Sequence, residues 1–410
     1  MSPVKTAPAE LTAGDAALRA QYLTEVLSLL YPPPCTTHRG RASGDTVAEY
    51  VVVPDARRPR LLVPTSRKVA AAAVRRYAEP QSRSARLKRD AVVAALRTGM
   101  SGVLLRDRIR VTGPVEESVD GHLRAALGRE LSVSIHIGPA RANRKPVLQL
   151  ISPAGETFGF GKLGTGPLTR RLVTEETNAL VALGAAGLSK LTAPRVLHAG
   201  QWRGMQVLVQ SALPVWLPRA PLDPRRLAAA MLDVAGCCGY VTATLGGSAY
   251  WGEVRGRLAA VADRAEGRAL AAAAELLAGR AGGAMLRFGA WHGDWAPWNM
   301  ANLADALLVW DWERFTTGVP VGFDAVHYDL QRRIQADGDA AAAVEATVRH
   351  AGELLAPFGV ATEVRELTAL LYLVDLAARY LTDRQAEAGA RLGVLGTWLL
   401  PVLIRRVEEL

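Results

Sequence analysis

A polar pattern at residues 291–313, WHGDWAPWNMANLADALLVWDWE, limits how the rest of the chain can be folded around it. The runs NMANL and ALLVWD flank Ala304-Asp305 and predict a hairpin with a tight two-residue turn. A hairpin's register is fixed by its turn, so Asn299 is expected opposite Trp310 or Asp311, at the open end. Opposed or diagonal residues on neighbouring strands lie about 4.5–8 Å apart. Asn299 and Asp311 are then close enough to share one cation. An amide and a carboxylate suit a hard ion such as Mg²⁺, which keeps waters and phosphate oxygens as its other ligands. Asp294 lies on the loop entering the hairpin, where it can accept a proton from a bound hydroxyl. Taken singly, Asp and Asn are ordinary turn and cap residues. At this combined spacing they read as the parts of a phosphoryl-transfer site.

The remainder of the chain reads as α+β. An amphipathic helix is expected around Asp15–Leu30. EYVVVP and RPRLLVP then form a hairpin-like pair, followed by helices near 66–79 and 84–98. In LLRDRIRV the alternation puts Arg106, Arg108 and Arg110 on one face, an anion site or a wet face. From residue 131 three short β runs, LSVSIHIG, KPVLQLIS and TFGFGKLG, predict an antiparallel meander. A helix over about Leu168–Leu183 and two more strands, PRVLHAG and MQVLVQ, follow. Beyond SALPVWLP the pattern is helical to the end, interrupted by the 291–313 stretch. The expected division is 1–130, an accessory or cap domain; 131–212, a β-rich lobe; and 213–410, a helical lobe.

Lys162 is one of only six lysines against 43 arginines and sits in the third run of the meander. In the next helix Leu172, Val173, Ala179, Leu180 and Leu183 form the apolar face. At about 100° per residue Glu176 projects into that face and Glu175 does not. A carboxylate in an apolar stripe needs a partner, and Lys162 is the expected one.

His292-Gly293-Asp294, Pro297, Asn299 and Asp311 resemble the HGDxxPxN…D signature of the aminoglycoside phosphotransferase and choline kinase-like superfamily, which has the protein-kinase fold. EETNALVALGAAG and GVPVGFDAVHYDL also look like segments of that family. The resemblance covers about 280 residues and leaves 1–130 outside. It implies a bilobal fold with an antiparallel N-lobe and a helical C-lobe, binding ATP or GTP with Mg²⁺ between them. By position, Asp294 becomes the catalytic base, Asn299 and Asp311 the metal ligands, and Lys162 with Glu176 the phosphate-side ion pair. Backbone groups of Gln210 and Ala212 would meet the adenine. His292 would support the loop, Asp324 would cap or anchor it, and His327 would be a satisfied helix histidine. IGPARANRKP lacks GxGxxG, leaving Arg141, Asn143, Arg144 and Lys145 as candidates to reach phosphates. Trp295 and Trp298 are candidates for stacking on a substrate ring. The implied reaction is phosphate transfer to a small-molecule hydroxyl. A non-catalytic pseudokinase scaffold and a protein-substrate kinase are the alternatives.

Charge and composition narrow the partners. Residues 1–150 carry 24 Lys and Arg against 13 Asp and Glu, while 151–410 carry 25 against 26, so the whole excess of +10 belongs to the first third. Residues 1–130 offer four tyrosines and no Phe or Trp to interleave with those cations, which argues against nucleic acid. A near-neutral remainder makes aminoglycosides one acceptor class among sugars and amino alcohols. No stretch of about 18 apolar residues occurs, and the first thirty residues lack a continuous apolar segment behind a basic start. Cys35, Cys237 and Cys238 have no metal-type spacing and read as buried inert thiols. A cytoplasmic, membrane-free protein is expected.

Overall fold

Alternating apolar residues build one large sheet in the first half of the chain. The structure, a computed structural model, describes residues 8–40, 44–76, 83–99, 105–138, 143–385 and 394–410. Among these, the strands are β1 (Thr36–Arg39), β2 (Thr46–Val53), β3 (Leu61–Pro64), β4 (Arg108–Thr112), β5 (Ser132–His136), β6 (Val147–Ile151), β7 (Thr157–Gly164), β8 (Val196–Trp202) and β9 (Met205–Ser211). They pair antiparallel in the order β1-β4-β2-β3-β5-β6-β7-β9-β8. The chain folds as two compact units, and this sheet lies in the first, Met1–Ala140, Arg144–Val173 and Arg195–Leu217.

The expected division at 130/131 falls inside the sheet. Leu61 and Leu62 of β3 pair with His136 and Ile135 of β5. The helix α1 (Pro8–Leu30) buries Tyr22, Leu23, Val26, Leu27 and Leu30 in one cluster with Ile135, Leu148, Leu163 and Val207. The accessory segment therefore shares its core with the meander instead of making its own. Local pattern predicted the strands, but the pairing of β3 with β5 joins residues some 74 positions apart, which no short-range signal encodes. The helices α2 (Arg67–Arg75) and α3 (Arg83–Thr98) lie where expected, and α2 buries Val69, Ala70, Ala73 and Val74 against β2, β3 and β6 residues. On β4 Ile109 and Val111 are buried while Arg108 and Arg110 are half-exposed, and Arg110 donates to Thr46 at 2.9 Å. That arginine row is a solvated face. The short helix α4 (Val119–Leu127) is capped by Ser118, which accepts from the Gly121 N–H.

The second unit comprises Arg141–Asn143, Thr174–Pro194 and Pro218–Leu410. It takes in the helix α5 (Pro167–Ala186) from Thr174 onward and contains α6 (Pro224–Gly236), α7 (Ala249–Ala259), α8 (Ala265–Ala281), α9 (Phe323–Asp337), α10 (Ala340–Arg349), α11 (Arg365–Thr382) and α12 (Leu400–Glu409). Its core is centred on α11, of which thirteen residues are buried. The helical expectation missed a three-stranded sheet, β10 (Val241–Thr244), β11 (Met285–Trp291) and β14 (Thr316–Pro320), in the order β10-β11-β14. β10 and β14 have only four and five residues, mostly exposed, and carry little alternation to read. β11 delivers the chain directly into His292-Gly293-Asp294. No helix among the described residues is long and apolar enough to cross a membrane.

Candidate active site

The hairpin forms in the register that its turn dictates. β12 (Met300–Asn302) pairs with β13 (Leu307–Val309), Met300 opposite Val309 and Asn302 opposite Leu307. Leu303 N–H donates to the Ala306 carbonyl at 2.8 Å, closing the turn on Ala304-Asp305. Trp310 N–H donates to the Asn299 carbonyl at 3.0 Å, so Asn299 does stand opposite Trp310 at the open end. Two segments brace the hairpin: Thr192 exchanges backbone bonds with Leu307 and Val309, and Asn302 donates to the Ala220 and Pro221 carbonyls.

The loop before it is fixed from three sides. Asp324, at the start of α9, accepts the backbone N–H of His292 at 2.7 Å and of Gly293 at 3.2 Å. Burial pushes its carboxyl up to about 7 against the pull of those two bonds. Arg379 of α11 donates to the Gly293 carbonyl at 2.5 Å. The buried His292 accepts the Asp294 N–H on Nδ1 at 3.1 Å, so its proton sits on Nε2, 3.1 Å from the Trp310 carbonyl. Burial pushes this imidazole down to about 4, so it works as a neutral strut between loop and hairpin. Gly293 has φ +81°, and a Cβ there would lie 2.2 Å from the Arg314 carbonyl oxygen. Only glycine fits that turn.

Asn299 is buried, and its Nδ2 donates to both the main-chain carbonyl and Oδ2 of Asp294, each at 2.9 Å. With the amide nitrogen so committed, Oδ1 is the end left to face a cation. The Asp294 side chain is 36% exposed, and His327 Nε2 of α9 lies 3.2 Å from its Oδ1. Burial raises the Asp294 carboxyl, but His327 and then Arg379 outweigh it, so the group is held below the usual carboxylate range. It is an ionised acceptor at neutral pH.

Asp311 has φ +72°, a left-handed backbone rare outside glycine and concentrated at functional turns. Its carboxylate gathers with those of Glu313 and Glu176, their ligand atoms all within 4.8 Å of one another. No other three His, Cys, Asp or Glu side chains among the described residues come so close. Glu176 and Glu313 are buried, and like charges at that spacing need cations among them. An all-oxygen donor set, with Asn299 Oδ1 at the end of the same hairpin, fits a hard divalent ion. Asn143 donates to Glu313 at 2.7 Å.

The other expected residues fall as follows. Lys162 is buried on β7 in register with Val147 and Leu208. Glu176 is buried and Glu175 exposed, as the helix phase predicts. Of the backbone groups expected at the hinge, Ala212 N–H donates to the Phe158 carbonyl at 2.9 Å, and Gln210 lies inside the ladder, in register with Phe160 and Val196. The Ala212 amide is thus no donor for a base. Trp295 is fully buried beside His292 and Trp312 and cannot stack on a ligand, whereas Trp298 is 43% exposed. Arg144 lies over the Tyr22 ring, 3.8 Å from its centroid; Arg141 lies outside the described residues. Cys35 is buried, but Cys237 is half-buried and Cys238 exposed, against the expectation of three buried thiols.

Glu313, His327 and Arg379 were not singled out for these roles by sequence. Two carried a signal. In Asp311-Trp312-Glu313 the acids flank a buried tryptophan, and residues two apart in extended chain share a side. His327 follows Asp324 by three residues and so shares its helix face. Arg379 belongs to a distant helix, and nothing local marks it.

No family model matches the chain, and no curated protein matches it. Solved structures similar to it are small-molecule kinases. A thermostable mutant of the aminoglycoside phosphotransferase APH(4)-Ia is 13% identical over 71% of this chain and 99% of that one, with a TM-score of 0.44. The choline kinase LicA from Streptococcus pneumoniae is 14% identical over 64% and 90%, with a TM-score of 0.43. The aminoglycoside phosphotransferase APH(3'')-Id from Streptomyces rimosus, in complex with ADP and streptomycin, is 14% identical over 56% and 89%, with a TM-score of 0.37.

Proposed function

We propose that this chain is a Mg²⁺-dependent phosphotransferase that moves the γ-phosphate of ATP, or of GTP, to a hydroxyl of a small molecule. The observation that carries the reading is the double hold of Asn299 on Asp294 at the mouth of a hairpin whose far strand leads into Asp311 and Glu313. One residue pair thereby ties a proton acceptor to a cation site at fixed separation.

In this reading Asn299 and Asp311, joined by Glu313, hold Mg²⁺, with the Glu176 carboxylate beside them. The ion, when bound, neutralises charge on the nucleotide phosphates. Lys162 is assigned to those phosphates. Asp294 takes the hydrogen bond of the acceptor hydroxyl, orients its oxygen toward the phosphorus and receives its proton as the new O–P bond forms and the bond to the leaving nucleoside diphosphate breaks. Trp298, exposed next to Asn299, is available to an acceptor's ring or apolar face. The location is taken as cytoplasmic.

Mass spectrometry of an acceptor library of sugars, aminoglycosides and amino alcohols with Mg·ATP tests this. One or more acceptors gain a phosphoryl group, and the Asp294→Ala variant loses that transfer while still binding nucleotide. Equal loss of transfer and binding would assign Asp294 to folding instead. Transfer to a protein but to no small molecule would favour the protein-kinase reading.

A further inference from the structure

Behind Asp294 lies a second pair of side chains that the reaction as described does not use. His327 is 1% exposed, and its Nε2 lies 3.2 Å from Asp294 Oδ1. Its Nδ1 lies 2.8 Å from the hydroxyl of Tyr372, itself fully buried on α11. The Tyr372 ring meets the His327 ring edge-on, with centroids 5.8 Å apart, and also packs edge-on against Phe323 and Trp291. This tyrosine is wedged in an aromatic core and cannot swing away. A phenol is the natural donor to an unprotonated ring nitrogen, and an Nδ1 that accepts puts the imidazole proton on Nε2, facing the carboxylate.

We propose that His327, held in one tautomer by Tyr372, is a positioning residue that fixes the orientation of the Asp294 carboxylate through Oδ1. The proposal rests on the phosphotransferase reading for its purpose, though not for its geometry. A lone carboxylate turns about its Cβ–Cγ bond, and that torsion is broad. Here Asn299 Nδ2 donates to Oδ2, and His327 Nε2, buried and without a hydrogen bond of good geometry, lies 3.2 Å from Oδ1. A carboxylate held at both oxygens would keep a single orientation for an arriving hydroxyl. Burial pushes the His327 imidazole down, which keeps it a neutral donor instead of a competing cation. The closest arrangement among general mechanisms is the carboxylate–histidine pair with roles exchanged: the carboxylate meets the substrate and the imidazole orients it.

Two measurements test this, and only one needs activity. With ¹⁵N-histidine labelling, the seven histidines give separate ring signals. The His327 ring should appear as the neutral Nε2–H tautomer and should shift in both Asp294→Asn and Tyr372→Phe. An Nδ1–H tautomer, or a signal indifferent to both substitutions, overturns the proposal whatever the protein catalyses. The second measurement follows phosphate release from Mg·ATP with water as acceptor, and transfer to any acceptor found. His327→Leu should lower kcat by about 10- to 100-fold and leave KM for Mg·ATP within about twofold. His327→Gln, whose amide can donate to Oδ1, should recover most of the loss. Leu and Gln variants equally impaired at unchanged thermal stability, or a Leu variant with normal kcat, would reject the positioning role. A wild-type protein that neither binds nor turns over Mg·ATP would sink the phosphotransferase reading, while the tautomer measurement would still decide the contact.

Discussion

Asn299 holds Asp294 twice, at its main-chain carbonyl and at its carboxylate, both from one amide nitrogen 2.9 Å away. That arrangement makes proton acceptance and cation binding interdependent. Replacing Asn299 with Ala removes the cation's amide oxygen and frees the carboxylate together. Turnover should fall at least about 100-fold, and the Mg²⁺ concentration needed for half-maximal rate should rise. The stability cost should be only about 1–2 kcal/mol, the value of one or two lost hydrogen bonds. Steady-state kinetics across a Mg²⁺ titration, with a thermal melt as control, checks both.

Gly293→Ala should break the loop without removing any polar group. A Cβ there would sit 2.2 Å from the Arg314 carbonyl oxygen on a backbone with φ +81°. The clash is with main chain, so relief requires moving either the loop or the segment after Asp311. Stability should drop by more than about 1 kcal/mol, and activity should fall further than stability alone explains. Nucleotide turnover compared at a temperature where both proteins are fully folded separates the two effects.

Asp324 gives a pH signature. Its carboxyl is raised to about 7 by burial, so between the unfolded and folded values the native state keeps a proton that the unfolded chain has released. Its contribution is fully present below the ordinary carboxylate value and is lost as pH rises through about 7. Asp324→Asn cannot ionise and should flatten this slope, by at most roughly 4 kcal/mol across the window. His292, pushed down to about 4, works with the opposite sign, favouring the native state as pH rises above that value. Subtracting the variant's denaturant stability from the wild type's at each pH cancels the histidine and isolates Asp324. A difference that does not change with pH would mean that the carboxyl is not raised.

Much of the site could be read from the chain because its constraints are local. The two-residue turn at Ala304-Asp305 fixes which residue Asn299 faces, so Asn299, Trp310 and Asp311 follow from counting. Helix phase placed Glu176 inside and Glu175 outside. What escaped depends on tertiary approach. His327 meets Asp294 only because α9 is anchored to the loop by Asp324, and Arg379 reaches Gly293 across 86 residues of chain. The first 130 residues were separated from the meander because β-pairing between β3 and β5 leaves no short-range trace. Where a main-chain amide spends its hydrogen bond is likewise invisible in sequence: Ala212 N–H goes to the Phe158 carbonyl.

The most direct test is calorimetric titration of ATP into the wild-type protein and the Asp311→Asn variant, each with Mg²⁺ and with excess EDTA. Asparagine tolerates the left-handed backbone at this position, so the variant should fold normally. ATP should bind the wild type at least about tenfold more tightly with Mg²⁺ than without it, and that difference should vanish in the variant. ATP binding that is absent, or indifferent to both Mg²⁺ and Asp311, would contradict the account.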